Sequence, residues 1–161
     1  MTSGSATTEI VLIQGAAVAT AEPMLASLCT RVFDSFDPEY LAQRLGHLVD
    51  PVLHIAQGCD GAPLGFKLGY RRGPALLYSW LGGVIPGARG QGLAARLMQA
   101  QHDWATAKGY AAVETRTRAS NSAMIIVNLK AGFQITGVEA GDAGHMMVIL
   151  RRTLKNKPER A

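Results

Sequence analysis

The sequence predicts a single-domain α/β fold, a mixed and mostly antiparallel sheet with a central parallel strand pair, flanked by helices. Three observations predict it. Apolar runs of strand length recur along the 161 residues and alternate, in the second half, with segments of helical spacing. The strand–helix–strand–helix order after residue 76 demands a parallel crossover, whereas the three strand-like runs up to residue 85 are joined by short turns and meander antiparallel. The run Leu76 to Ile85 is too continuously apolar to keep one face wet, so it belongs at the centre of the sheet.

The elements follow in order. Ile10 to Gln14 reads as a first strand. Met24, Leu25, Leu28, Val32 and Phe33 lie at helical spacing within Ala21 to Phe36. Asp37-Pro38 is a capping residue followed by proline at the first helical position, opening a helix to about Leu48. Val52 to Gln57 and Leu64 to Tyr70 are strands, separated by the turn Cys59 to Pro63. A second turn, Arg71-Arg72-Gly73-Pro74, leads into the central strand. Gly82-Gly83 inside that strand marks a bulge or a close approach to the backbone. A helix runs from about Gly90 to Lys108, stopped by Gly109. Ala111 to Arg118 is a strand, and a helix capped at Ser120 or Asn121 ends near Gly132. Phe133 to Val138 and His145 to Leu150 complete the sheet.

This pattern divides the chain into a flexible N-terminus over residues 1–9, a folded domain over 10–152 and a basic C-terminal tail over 153–161. Hydrophobic residues make up 48% and charged residues 17%, enough to build a core and too apolar for a disordered chain. No run is long enough to span a bilayer, and the start lacks a signal-peptide pattern, so a soluble cytoplasmic protein is expected. Cys29 and Cys59 have no metal-ligand partner at close spacing, and no metal site is expected. The net charge of +4 is drawn partly from Arg151, Arg152, Lys155, Lys157 and Arg160. These cations are not interleaved with aromatics, so a nucleic-acid partner is not expected.

The sharpest feature is Val84-Ile85-Pro86-Gly87-Ala88-Arg89-Gly90-Gln91-Gly92-Leu93-Ala94, which joins the central strand to a helix. Its glycines permit a tight turn and close ligand approach. The first N–H groups of the helix lack internal partners and point the positive end of the dipole outward, the requirement for a pyrophosphate site. Arg89 can add charge-assisted bonds to phosphate oxygens. The loop lacks the Gly-Lys-Ser/Thr ending of a P-loop. It also follows the fourth strand, not the first strand of a dinucleotide-binding unit.

The segment Arg89-Gly90-Gln91-Gly92-Leu93-Ala94 after Val84-Ile85-Pro86 resembles the coenzyme A signature of the GNAT N-acetyltransferase superfamily. Asn121, Met124, Ile125, Val127, Asn128, Lys130, Gly132 and Phe133 resemble a second segment of that family. The likeness extends over roughly residues 10–152. It implies acetyl-coenzyme A as acyl donor and a primary amine of a small molecule or peptide as acceptor, by direct transfer. It also implies that the central parallel pair splays apart. Backbone groups from Gly90 to Ala94 would then hold the pyrophosphate, Val84 and Ile85 would pair with the pantetheine arm, and Asn121 would bond the pantetheine chain. The family often carries Tyr where Asn128 stands. An amide cannot supply the proton a phenol supplies, although it can hydrogen-bond the sulfur.

For the remaining chemistry, Glu114 is the carboxylate best placed to act as a base, on a strand whose alternation sets it with Arg116 and Arg118. Pairing with an arginine is its alternative role. Tyr78 is a candidate acid on the central strand, with core packing as its alternative. Asp34, Asp37 and Glu39 could form an acidic rim for cationic amines. A non-catalytic acyl-coenzyme A sensor is the competing function, and an exposed sheet edge makes a homodimer plausible.

Overall fold

The computed structural model describes residues 7–155. Most of the expected N-terminal extension and all but the start of the expected basic tail lie outside these residues. The strands are β1 (Glu9–Gln14), β2 (Val52–Gln57), β3 (Pro63–Gly73), β4 (Leu76–Val84), β5 (Ala112–Arg118), β6 (Gln134–Ala140) and β7 (Met146–Thr153). The helices are α1 (Ala16–Thr20), α2 (Glu22–Val32), α3 (Pro38–Leu45), α4 (Leu93–Ala107) and α5 (Ser122–Lys130). One seven-stranded sheet runs in the order β1-β2-β3-β4-β5-β7-β6. Its only parallel neighbours are β4 and β5.

Local chemistry sets the element ends. The Asp37 carboxylate accepts from the N–H groups of Glu39 and Tyr40, capping α3 with Pro38 at its first position. Helix α4 ends in a double reverse bond, Gly109 N–H to Thr106 O at 3.1 Å and Tyr110 N–H to Ala105 O at 3.0 Å. Gly109 takes φ 87°, where a side chain would be strained.

Several boundaries differ from expectation, among them the start of α4, at Leu93 and not Gly90, and the end of α3, at Leu45 and not Leu48. The segment 21–36 is one helix that stops at Val32, preceded by the short α1, because Phe33 turns extended. Arg71 to Gly73 continue β3, and the turn is Pro74-Ala75, since Arg71 is held by Asp50 and the Pro74 carbonyl. The fold also outruns residue 152. Leu154 is buried in the core, and Arg151 and Arg152 belong to β7, not to a solvated tail.

Two helical layers sandwich the sheet. Phe66 meets Phe33 at the end of α2 on one face. On the other face of β3, Gly65 and Gly69 lie beneath α4. A Cβ at 65 would stand 3.3 Å from Leu97 Cδ1, and one at 69 would stand 2.9 Å from Gln101 Nε2. Glycine is what lets the helix approach.

Burial of that second face encloses two histidines. Desolvation lowers His54 to about 4, and desolvation together with Arg152 and Lys67 lowers His102 to about 3. Arg152 Nη1–H donates to His102 Nδ1 at 2.6 Å, which places the imidazole proton on Nε2. Both groups bind protons more readily when unfolded. Their contribution is therefore complete above about 6.5 and is lost as pH falls through the range from 6.5 to about 4 and about 3. Thermal unfolding should show a melting temperature that drops below pH ~6.5. His54→Phe, which keeps a ring against Trp104, should make that drop shallower. An unchanged acid profile in His54→Phe would remove His54 from the account.

Candidate active site

β3 and β4 pair along most of their length, from Gly73↔Leu76 to Gly65↔Val84. β4 and β5 pair only from Leu76↔Ala112 to Ser79↔Thr115 and then part. A bulge sits where they part. The register jumps from Leu68↔Leu81 to Gly69↔Ser79, leaving Trp80 as the extra residue. The bulge is thus at Trp80, while Gly82 and Gly83 are regularly paired with Lys67 and Phe66 and meet the other expectation there, a close approach: a Cβ at 83 would collide with Val32 Cγ1. A bulge bends and twists its strand, and here it turns β4 away from β5.

Two cavities open at this point. The larger, about 650 Å³, lies between β4, β5, α4 and α5 and is lined by Lys67, Gly82, Val84, Ala94, Asn128 and Arg152 among others. The smaller, about 500 Å³, lies under α2 and α3 and has Phe33, Phe36, Tyr40 and Trp80 in its wall. Trp80, Leu81, Arg116, Thr117 and Met124 line both.

The loop into α4 is locked by residues the sequence did not assign to that task. Arg89 Nε donates to Val84 O at 3.0 Å and its Nη2 to Val32 O at 3.2 Å. Two of its guanidinium nitrogens thus fasten the loop to β4 and α2. Gly90 and Gly92 hold φ 81° and 77°, and Gly92 is the N-cap of α4. The cap has no side-chain bond and the first turn holds no acidic residue, so the N–H groups there face outward unneutralised. Leu93 is buried, anchoring the turn. Gln91 is exposed on the loop.

Other expected residues are placed differently. Ile85 N–H donates to Leu64 O, and Ile85 O accepts from Ala88 N–H. With Val84 O held by Arg89, the stretch of β4 left to pair with an extended ligand shifts back toward Gly82-Gly83. Asn121 caps α5, its Oδ1 accepting from Met124 N–H at 3.2 Å, and it lines the smaller cavity instead of the larger one. Asn128 is buried and lines the larger cavity.

Glu114 and Tyr78 line neither cavity. They are register partners at the base of the parallel pair. Glu114 accepts from Arg151 Nη2 at 2.8 Å and has Arg72 Nη1 at 3.9 Å. The ring of Tyr78 lies under Arg72 and Arg116. Burial raises the Tyr78 phenol, with Arg116 and Arg72 opposing. Of the two roles the sequence offers Glu114, base or ion-pair partner, its contacts are those of the ion pair. The acidic rim is also weaker than expected. Asp37 is occupied as a helix cap, and the smaller cavity carries Arg116 and Arg118 as well.

Lys67 is the site residue that sequence reasoning missed. The signal was present in Gly65-Phe66-Lys67-Leu68-Gly69, where strand alternation puts a lysine between two glycines on one face.

Comparison with known proteins agrees with this geometry. The chain matches the acetyltransferase (GNAT) family over residues 24–133. It belongs to that family, and it is an acyltransferase with acetyl-coenzyme A as donor. No curated protein sequence matches it. Among solved structures, the ribosomal-protein-S18-alanine N-acetyltransferase from Escherichia coli superposes with a TM-score of 0.78 at 17% identity, covering 96% of this chain and 99% of that one. A GCN5-related N-acetyltransferase from Kribbella flavida gives 0.67 at 20%, covering 91% and 98%. A putative streptothricin acetyltransferase from Bacillus anthracis str. Ames, in complex with acetyl coenzyme A, gives 0.59 at 18%, covering 65% and 63%. At these identities the likeness is one of fold. Among the described residues no helix is long and apolar enough to cross a membrane, and no group of His, Cys, Asp and Glu could hold a metal.

Since Glu114 is ion-paired and away from both cavities, Glu114→Gln should lower stability by about 1 kcal/mol and leave acetyl transfer nearly unchanged. Denaturant titration and coenzyme A release check the two halves. A collapse of turnover in a folded Glu114→Gln would restore the carboxylate to the chemistry.

Proposed function

We propose that the chain transfers an acetyl group directly from acetyl-coenzyme A to a primary amine of a small molecule or peptide. The observation that carries this is the parting of β4 from β5 after Ser79 and Thr115, with one cavity on each side and a shared wall at the gap. Donor and acceptor can enter from opposite sides and meet there without a covalent enzyme intermediate. A volume of about 650 Å³ suits a pantetheine arm.

In this reading the N–H groups of Gly90, Gln91, Gly92, Leu93 and Ala94 hold the pyrophosphate at the open end of α4. The arm runs along β4 at Gly82, Gly83 and Val84. Asn128 donates a hydrogen bond toward the thioester end. Arg89 acts through the loop it fastens. The acceptor lies against Phe33, Phe36, Tyr40 and Trp80, with Arg116 and Arg118 favouring an amine that also carries an anionic group. The proton lost by the amine leaves to solvent through that open cavity.

Acetyl-coenzyme A should raise the melting temperature, by about 2.7 kcal/mol of stabilisation at a hundredfold excess over Kd. Gly92→Val, forced to a left-handed φ, should abolish that shift while the domain stays folded. Free thiol released with a panel of amines tests the acceptor class: a thermal shift with every primary amine silent would overturn transfer to an amine. Asn128→Ala should lower the rate by the loss of one hydrogen bond, about 0.5–1.5 kcal/mol. A loss of several orders of magnitude would make Asn128 central to the chemistry.

A further inference from the structure

We propose that the ammonium group of Lys67 protonates the coenzyme A thiolate as it departs, a role that rests on the acetyl-transfer reading above. Lys67 sits at the middle of β3, between His54 on β2 and Gly82 on β4. Its stem lies on Gly82: a Cβ there would stand 3.1 Å from Lys67 Cδ. The missing side chain at 82 is what lets the lysine cross β4 into the larger cavity, which it lines together with Asn128.

Its surroundings supply charge but no counter-ion. No carboxylate pairs with Lys67 among the described residues, and none lines the larger cavity. The groups that face it are His54 from β2, His102 from α4, Arg152 from β7, and Asn128 and Lys130 from α5; Arg116 reaches the same cavity from the other face of β5, where it pairs with Glu139. Both histidines are held neutral by burial. A half-buried cation in neutral or positive company favours an anion that comes and goes, and a thiolate is such an anion. Desolvation also lowers Lys67 to about 8, so it holds its proton near neutrality yet gives it up more readily than an exposed lysine.

The other lining groups cannot do this work. Arginine does not release a proton in this range, and the amide of Asn128 does not titrate. Lys130 is exposed at the end of α5. In the step itself, the neutral acceptor amine attacks the acetyl carbonyl carbon and a C–N bond forms. The C–S bond breaks, its electron pair leaves on sulfur, and Nζ of Lys67 passes one proton to sulfur. The acceptor nitrogen loses its extra proton to solvent, and Lys67 takes one back from solvent.

Two readouts test this on the full chain. The first needs no turnover. In the complex with free coenzyme A, the ultraviolet thiolate band should appear at lower pH in the unmodified protein and in Lys67→Arg than in Lys67→Met. The second is the pH dependence of thiol release from acetyl-coenzyme A with hydroxylamine, a small neutral acceptor. The unmodified protein should lose rate as pH rises through about 8, the range in which Lys67 gives up its proton. Lys67→Met should be at least tenfold slower with no such limb, and Lys67→Arg should also lack it. Identical thiolate titrations in the unmodified protein and Lys67→Met, or an alkaline limb that survives in Lys67→Met, would overturn the proposal. A variant that no longer gives a thermal shift with coenzyme A would overturn it too, assigning Lys67 to binding. Silence of the unmodified protein toward hydroxylamine and every amine, with the thiolate difference intact, would instead sink the acetyl-transfer reading.

Discussion

The structure depends on one interrupted ladder. β4 and β5 hold together from Leu76↔Ala112 to Ser79↔Thr115, and the last rung is reinforced by Thr115 Oγ1–H donating to Ser79 O at 3.0 Å. Beyond it the strand edges have no partner in each other. Buried backbone groups left unpaired carry a real penalty, so a gap in a central sheet persists only if the rest of the fold prevents closure. Trp80 bulges out of β4 at that rung, β3 holds the far edge of β4, and β7 holds the far edge of β5. Each strand is fixed by its outer neighbour, and the gap between them remains for an extended ligand to fill.

Charge is divided by the sheet in the same way. On the face carrying Tyr78, the acidic groups Glu114 and Glu139 are matched by Arg151, Arg72 and Arg116. On the α4 face, Lys67 and Arg152 surround a neutral His102, with no carboxylate among the described residues paired to either. On the first face each carboxylate has an arginine partner, and the arginines outnumber the carboxylates by one. The second is left cationic under a helix, where water is scarce and an approaching anion is attracted strongly. This asymmetry is a better guide to where donor chemistry occurs than the identity of any single acidic residue.

The fold was legible in the sequence because periodicity and turn residues report it directly. The continuous run from Leu76, the Asp37-Pro38 cap and the Gly109 stop each have a local cause, and each appears in the structure close to its expected place. The roles of charged side chains were less legible, since these depend on partners distant in the chain. Arg89 reads as a phosphate ligand until Val32, 57 residues away, is seen to accept its bond. Glu114 reads as either a base or an arginine's partner, and which arginine it meets, Arg151 across the β5–β7 ladder, appears only in the structure. The bulge at Trp80 has no glycine to announce it, whereas Gly82, which does, serves to pass the Lys67 stem. Lys67 went unread in the sequence because alternation along β3 shows only that it shares a face with two glycines, and the register with β4 is needed to see where its stem leads.

The loop before α4 shows how such long-range contacts create a local property. An open helix start is usually capped by its own side chains, and α4 has none to use. Gly90 and Gly92 adopt left-handed angles that other residues would resist, so the loop needs outside support to hold one shape. Arg89 supplies it by bridging Val84 O and Val32 O, and Leu93 supplies it from the core side. The N–H groups are therefore aimed before any ligand arrives, and the ordering penalty is met during folding instead of binding. An arginine pointing at the phosphate would add one charge to the site. An arginine that fixes the loop lets several N–H groups act together at the open end of α4.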